Sequence, residues 1–360
     1  MGRSKIVMFL GVGFLFVAIM AFGDVSGALA AETIEFKAGF FTSPDDPYGR
    51  LIHWYCTELE KRSKGAIKIK YFWSESLVSA RDAADAMKSG LVDCTTLAPG
   101  YYPAKLPLYN IGWLPGILPL TGDSAEDWTK FFKIMNDWLE TPALESEFAR
   151  WNAVLITELY PAVYTIMGKF RIGNMADLKG RKIRAIGGAA DVLSAAGAVP
   201  VFTTQPEMVD ALQKGTIEAI THAWMNLHGF KVYEFSKYWT YGIRLAHMPS
   251  ALAIRNNVYA KFPAEITKLI KEVRNDYQLW LADDWTKLKK TVMEDFRKAG
   301  IELIEFPSED NQKLATLAEK QWGPYINKIE GQGSKGKEAF NSLQDIIKKY
   351  VPSHKPYYIR

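Results

Sequence analysis

From Thr33 onward the chain alternates two hydrophobic rhythms. Ile34, Phe36 and Ala38 recur at every second residue, the period of a strand with one face turned inward. Phe41-Thr42-Ser43-Pro44 breaks that rhythm as a turn. Pro47 to Lys64 then spaces Leu51, Trp54, Tyr55 and Leu59 as one face of a helix, which Gly65 closes. Ile67, Ile69 and Tyr71 resume the alternation. Ala80 to Ser89 reads as a second helix stopped by Gly90, and Val92 to Leu97 as a third strand. Strands separated by helices predict an α/β fold whose mostly parallel sheet is flanked by helices.

A repeat extends this reading. Asp85-Ala86-Met87-Lys88-Ser89-Gly90-Leu91-Val92-Asp93-Cys94 matches Asp210-Ala211-Leu212-Gln213-Lys214-Gly215-Thr216-Ile217-Glu218-Ala219 at an offset of 125 (210 − 85). Each copy is a helix end, a glycine cap and a strand start. The second copy has its own series of strand and helix: Lys182 to Ile186, Ala189 to Ala196, Val199 to Phe202, and Glu207 to Lys214. Two similar lobes, each with its own sheet, fit better than one long sheet, and they leave a cleft between them. The rest is helical, with Pro263 to Gly300 long enough to brace both lobes. The expected boundaries are 31–161 plus about 250–289 for the first lobe, and 162–249 plus about 290–360 for the second.

Residues 1–30 follow different rules. Arg3 and Lys5 precede an apolar run from Ile6 to Phe22, and Ala28-Leu29-Ala30 is a small-residue cleavage site. This predicts a cleaved signal peptide, export to the periplasm, and a mature chain from Ala31. An oxidising compartment changes how Cys56 and Cys94 read: they either pair or stay as buried free thiols, and spacing does not choose between the two.

Composition removes several classes. Net charge is +4, from 44 basic and 40 acidic side chains, which gives no case for nucleic-acid binding. Gly331 to Lys337 imitates a phosphate loop, but Glu338 stands where a magnesium-binding hydroxyl belongs and no strand precedes it. No metal-ligand spacing or nucleophile elbow occurs, so no cofactor and no catalytic residue is expected. His222 and His228, six apart, read as surface or pocket residues rather than a metal pair. Aromatics are the surplus, at 13%.

Arg184 is the candidate anchor. It ends the strand Lys182-Ile183-Arg184, and Gly187-Gly188 with a helix start follow it. A guanidinium beside free backbone N–H groups suits a carboxylate, and a solvated edge-strand arginine is the alternative. Other residues at strand ends or between the lobes should face the cleft: Phe41 and Ser43, Trp73 and Ser74, Tyr101, Tyr160 and Tyr164, Trp224 and Asn226. Together they predict one cationic site with apolar, stackable walls. On that reading Arg184→Ala abolishes or weakens binding while leaving the melting profile of the ligand-free protein near unchanged.

Over the whole mature length the chain resembles the solute receptors of tripartite ATP-independent periplasmic (TRAP) transporters. Asp177-Leu178-Lys179-Gly180-Arg181-Lys182-Ile183-Arg184 is similar to the family's DLKGLKIR, and Ala196-Gly197-Ala198-Val199-Pro200-Val201 to its LGAVPV. Glu207 to Glu218, Val232-Tyr233-Glu234 with Lys237-Tyr238, and Ala299-Gly300-Ile301-Glu302 follow in the family's order. The resemblance implies a two-lobed receptor that closes on an organic acid and delivers it to small and large membrane permease subunits. It also implies that Arg184 is the arginine that meets the substrate carboxylate. Many members carry a second arginine twenty positions earlier, where this chain has Tyr164, and the family's DGQENP is absent after the second repeat. One charge and aromatic walls point to a monocarboxylate with a hydrophobic or aromatic body. A periplasmic enzyme acting on an organic acid, or a receptor serving a sensor kinase, is the alternative. The chain reads as a monomer, with a dimer as the other option.

Overall fold

The computed structural model describes residues 33–121, 124–159 and 162–359. The signal peptide and Tyr160 lie outside them.

The first sheet is built from β1 (Ile34–Gly39), α1 (Pro47–Arg62), β2 (Ile67–Phe72), α2 (Ala83–Ser89) and β3 (Cys94–Leu97). After α3 (Ala125–Leu139) and α4 (Pro142–Ala149) comes β4 (Ala153–Glu158). The second contains β5 (Thr165–Gly168), β6 (Lys182–Arg184), α5 (Gly187–Ala195), β7 (Val199–Val201), α6 (Met208–Gln213), β8 (Ala219–His222), α7 (Trp224–Gly229) and β9 (Tyr238–Tyr241). The chain then returns through β10 (Ala251–Arg255) and α8 (Asn256–Tyr259) into α9 (Ala264–Lys298). It closes with β11 (Glu302–Glu305), α10 (Ser308–Gly331) and α11 (Gly336–Tyr350).

Local chemistry sets the boundaries. Asp46 caps α1 by accepting from the Gly49 N–H at 2.7 Å, with Pro47 opening the first turn. Gly90 ends α2 in the left-handed region at φ +79°, where a side chain would be strained. The predicted α2 start at Ala80 is three residues early, because Ser79 and Asp82 bond each other and form a turn first.

The sheet orders are β2-β1-β3-β10-β4 and β11-β9-β5-β8-β6-β7. One strand is reversed in each: β10 runs antiparallel to β3 and β4, and β5 runs antiparallel to β8 and β9. The repeat has a structural counterpart, since β3 starts at Cys94 and β8 at Ala219, again 125 apart. Each reversed strand follows a crossing between the sheets. The two crossings run side by side: the Leu159 N–H donates to the Ser250 carbonyl at 2.9 Å and the Tyr164 N–H to the Ala246 carbonyl at 3.0 Å. Val163 and His247 bridge between these bonds.

Much of the aromatic surplus lies along α9 and not at the cleft. Trp54 stacks on Trp280 at 4.9 Å, Trp128 meets Trp285 edge-on at 5.2 Å, and Trp239 packs on Phe296 at 5.1 Å. These rings come from both sheet layers, so the long helix braces the two. Large rings fill the wide gap between a helix and two separate layers better than aliphatic side chains. The tail corrects one expected boundary. Helix α11 packs on α3, where the Trp138 indole donates to the Ala339 carbonyl at 2.9 Å, so it sits on the first-sheet side.

Cys56 and Cys94 are both free and buried, so the disulfide alternative is not realised. Their thiols interact, and burial pushes that of Cys94 well up.

Glu158 ends β4 at the first crossing and is fully buried. It accepts from the Tyr109 hydroxyl at 2.5 Å and from the Ser250 N–H at 2.9 Å, and burial raises its pKa to about 8. The folded state therefore holds a proton that the unfolded chain releases near pH 4.5. Stability from this group should be full below pH 4.5 and be lost as pH rises to about 8. Denaturant titrations across that window should show wild type weakening with pH more steeply than Glu158→Gln; parallel profiles would remove Glu158 as the cause.

Candidate ligand-binding cleft

Arg184 ends β6, which lies between β7 and β8, and the ends of those neighbours supply its partners. Its Nε and Nη2 donate to the Thr203 carbonyl at 3.2 and 3.0 Å, and its Nη1 to the Thr221 carbonyl at 3.2 Å. Thr221 Oγ1 donates back to the Arg184 carbonyl at 2.9 Å. The side chain is fully buried, which excludes the solvated-edge alternative. A buried, permanent charge fixed by neutral carbonyls has no carboxylate partner among the described residues, and this favours an incoming anion.

Tyrosines surround it. The Tyr101 and Tyr164 hydroxyls lie beside the guanidinium; burial raises both pKa values and the Arg184 charge opposes the rise. Phe41 meets Tyr101 edge-on at 5.8 Å and stacks on Tyr48 at 5.7 Å. Phe41, Tyr48, Ala98 and Tyr101 face Gln205 and His222 of the second sheet, with Met248 and Ser250 from the crossing between them. The cavity they leave between them is narrow, about 20 Å³.

His222, read from sequence only as a surface or pocket residue and left out of the expected site set, belongs to the site. It ends β8, and its ring is 4.9 Å from that of Tyr164. Nδ1 accepts from the Ala223 N–H at 2.9 Å, so Nε2 carries the proton and donates to Gln205 Oε1 at 3.2 Å. Burial, then the charge of Arg184, holds its pKa well below the ordinary histidine value, so the ring is neutral. Its place at a strand end was a usable signal. Reading past it to Trp224 was the error, because α7 begins there and turns that side chain away.

Four of the expected residues meet here: Arg184, Tyr164, Tyr101 and Phe41. The others do not. Trp73 stacks on Tyr71 at 5.7 Å and packs on Phe40, at the β2 edge. Ser74 is exposed at φ +54°. Ser43 belongs to the α1 cap, its N–H donating to Asp46. Asn226 is buried within α7, and Trp224 packs on Trp285 and lines a separate groove. His228 pairs with Asp295 of α9 at 3.1 Å, far from any metal role.

Two sheets under one brace, with a buried arginine at the end of a second-sheet strand, define a two-lobed solute receptor. Residues 38–328 match the bacterial extracellular solute-binding protein family 7 (DctP), and the chain belongs to that family. A solute-binding protein of Albidiferax ferrireducens is 26% identical over 326 residues, covering 85% of this chain and 94% of the relative. A TRAP solute-binding protein of Rhodoferax ferrireducens, in complex with copurified benzoate, superposes with a TM-score of 0.75 at 21% identity, over 89% of this chain and 99% of that one. Another from Rhodoferax ferrireducens, with bound malonate, gives 0.73 at 21% identity, over 88% and 100%. The family is one of binding receptors for transport, not of enzymes. No helix among the described residues is long and apolar enough to cross a membrane.

Proposed function

We propose that this chain is a TRAP receptor for a monocarboxylate with a hydrophobic or aromatic body, which it delivers to small and large membrane permease subunits. The observation that carries the reading is a buried guanidinium, Arg184, beside the hydroxyls of Tyr101 and Tyr164, with Phe41 packed on Tyr101 and Tyr48 on Phe41. Tyr164 stands where a second arginine would serve a second carboxylate. Benzoate in one structural relative and malonate in another frame the choice, and the single charge here favours the first. The lobes then move about the crossings at 159–164 and 242–250, as the division at 161/162 and 249/250 implies. Ligand stabilises closure through contacts made only when both sides meet.

The rim holds one such contact. Arg81, ahead of α2, reaches Glu207 at 3.3 Å and lies over the Phe202 ring at 4.8 Å. Both charges are half exposed, so the contact is weak in water. Arg81→Ala should speed ligand release about two- to fivefold, read by stopped-flow fluorescence, with association unchanged.

Mass spectrometry of acid extracted from the purified protein tests the ligand class. An aromatic or apolar monocarboxylate is expected; a dicarboxylate or a sugar acid would overturn the reading.

A further inference from the structure

A second cavity lies against the crossings and shares no residue with the first. Its volume is about 530 Å³. Leu118 and Phe306 wall it on two sides, and Ile243 and Arg244 border it from the second crossing. Two polar side chains in its wall are buried and have no hydrogen-bond partner among the described residues. They are Trp224, 3% exposed, through Nε1, and His247, 4% exposed, through Nε2. Both rings are held in place, Trp224 against Trp285 and His247 stacked on Phe131 at 5.9 Å. Buried polar atoms without partners are uncommon and costly.

Arg244 supplies the charge. Its backbone is pinned by its N–H, which donates to Asn311 Oδ1 at 3.0 Å, while its side chain is exposed and in no ion pair among the described residues. It is close enough to act electrostatically on His247. Glu305 also borders the cavity and would repel a second negative charge.

We infer that this cavity is a second binding site, for a small organic anion with one carboxylate and an apolar body. The carboxylate meets Arg244 and the Trp224 indole N–H, and the body lies on Leu118, Ile243 and Phe306. A hydroxyl on the ligand reaches His247 Nε2. The inference stands on its own residues and does not need the cleft assignment. Because Val163 and Arg244 come from the two crossings, an occupant would bear on the segments about which the lobes move.

The test uses the full chain, benzoate as probe, and Arg184→Ala to silence the cleft. The Trp224 indole ¹H–¹⁵N signal is assigned by its loss in Trp224→Phe. It should shift saturably with benzoate in Arg184→Ala as in wild type. In Arg184→Ala/Arg244→Ala the half-shift concentration should rise about tenfold or more, for the loss of a charge-assisted contact. Arg244→Ala alone should leave cleft affinity, measured calorimetrically, within about twofold. Three results overturn the proposal: no shift up to the solubility of benzoate, a shift that ignores Arg244, or a shift seen only when Arg184 is intact. The last would mark the indole as a reporter of cleft closure. Cleft affinity that survives Arg184→Ala, with the Arg244-dependent shift retained, would instead count against the cleft reading alone.

Discussion

Arg184→Ala should weaken organic-acid binding by about 30- to several-thousand-fold, the equivalent of about 2–5 kcal/mol for one side of a buried charge pair. It should also lower the melting temperature of the ligand-free protein. The sequence led to the opposite expectation for stability, because a strand-end arginine was pictured with its side chain free. In the structure it donates to the carbonyls of Thr203 and Thr221, and removing it orphans an acceptor at the buried end of β8. An unsatisfied buried group costs about 1–3 kcal/mol. Calorimetry of binding and of unfolding on the same samples separates the two effects. Arg184→Lys serves as a control: it keeps the charge without the planar fork, so binding should fall while part of the stability returns. Affinity retained in Arg184→Ala would falsify the site.

Gly188→Ala should impair binding by a different route, by holding the cleft open. Gly188 lies in the first turn of α5, against the segment that leads from β3 to α3. A methyl group there would lie 1.8 Å from the Trp113 carbonyl and 2.9 Å from Pro115 N, both backbone atoms that no rotamer change can move. A methyl at Gly187, itself at φ +54°, would lie 2.3 Å from the Trp113 ring. Trp113 is itself fixed, its indole donating to the Pro249 carbonyl at 2.5 Å. The clash therefore falls between the two sides of the cleft and not within either sheet. Overpacking of this kind costs about 1–3 kcal/mol, so affinity should drop about 5- to 150-fold. Small-angle scattering should show a radius of gyration that no longer contracts with ligand, while melting of the ligand-free protein changes little. Normal affinity with normal contraction would mean that Gly188 is not at a closing surface.

Fold was more legible than site. Period-2 and period-3.6 patterns located β1, α1 and β2, and the repeat at offset 125 located β3 and β8, because these signals are local. The reversed strands β5 and β10 left no such trace. Both are short and buried, and what places them is the crossing of the chain, a long-range event. The site divided along the same line. Arg184, Tyr101 and Phe41 followed from strand ends and Tyr164 from its place between the lobes, whereas Trp73 and Trp224 were drawn off by neighbouring rings that no spacing rule reveals. His222 was read only as a surface or pocket residue, because a single histidine at a strand end carries no spacing pattern of its own. The aromatic surplus also moved: Phe41, Tyr48 and Tyr101 line the cleft, but many of the rings secure α9 to the two sheets.

The central claim is that one buried guanidinium among tyrosines selects a single carboxylate on an apolar body. Isothermal titration of the full chain, stripped of bound ligand, with benzoate and with malonate tests it most directly. Benzoate should bind with the higher affinity, with a negative heat-capacity change from ring burial, and malonate should bind weakly or not at all. Tighter binding of malonate, or benzoate binding that survives Arg184→Ala in full, would contradict the account.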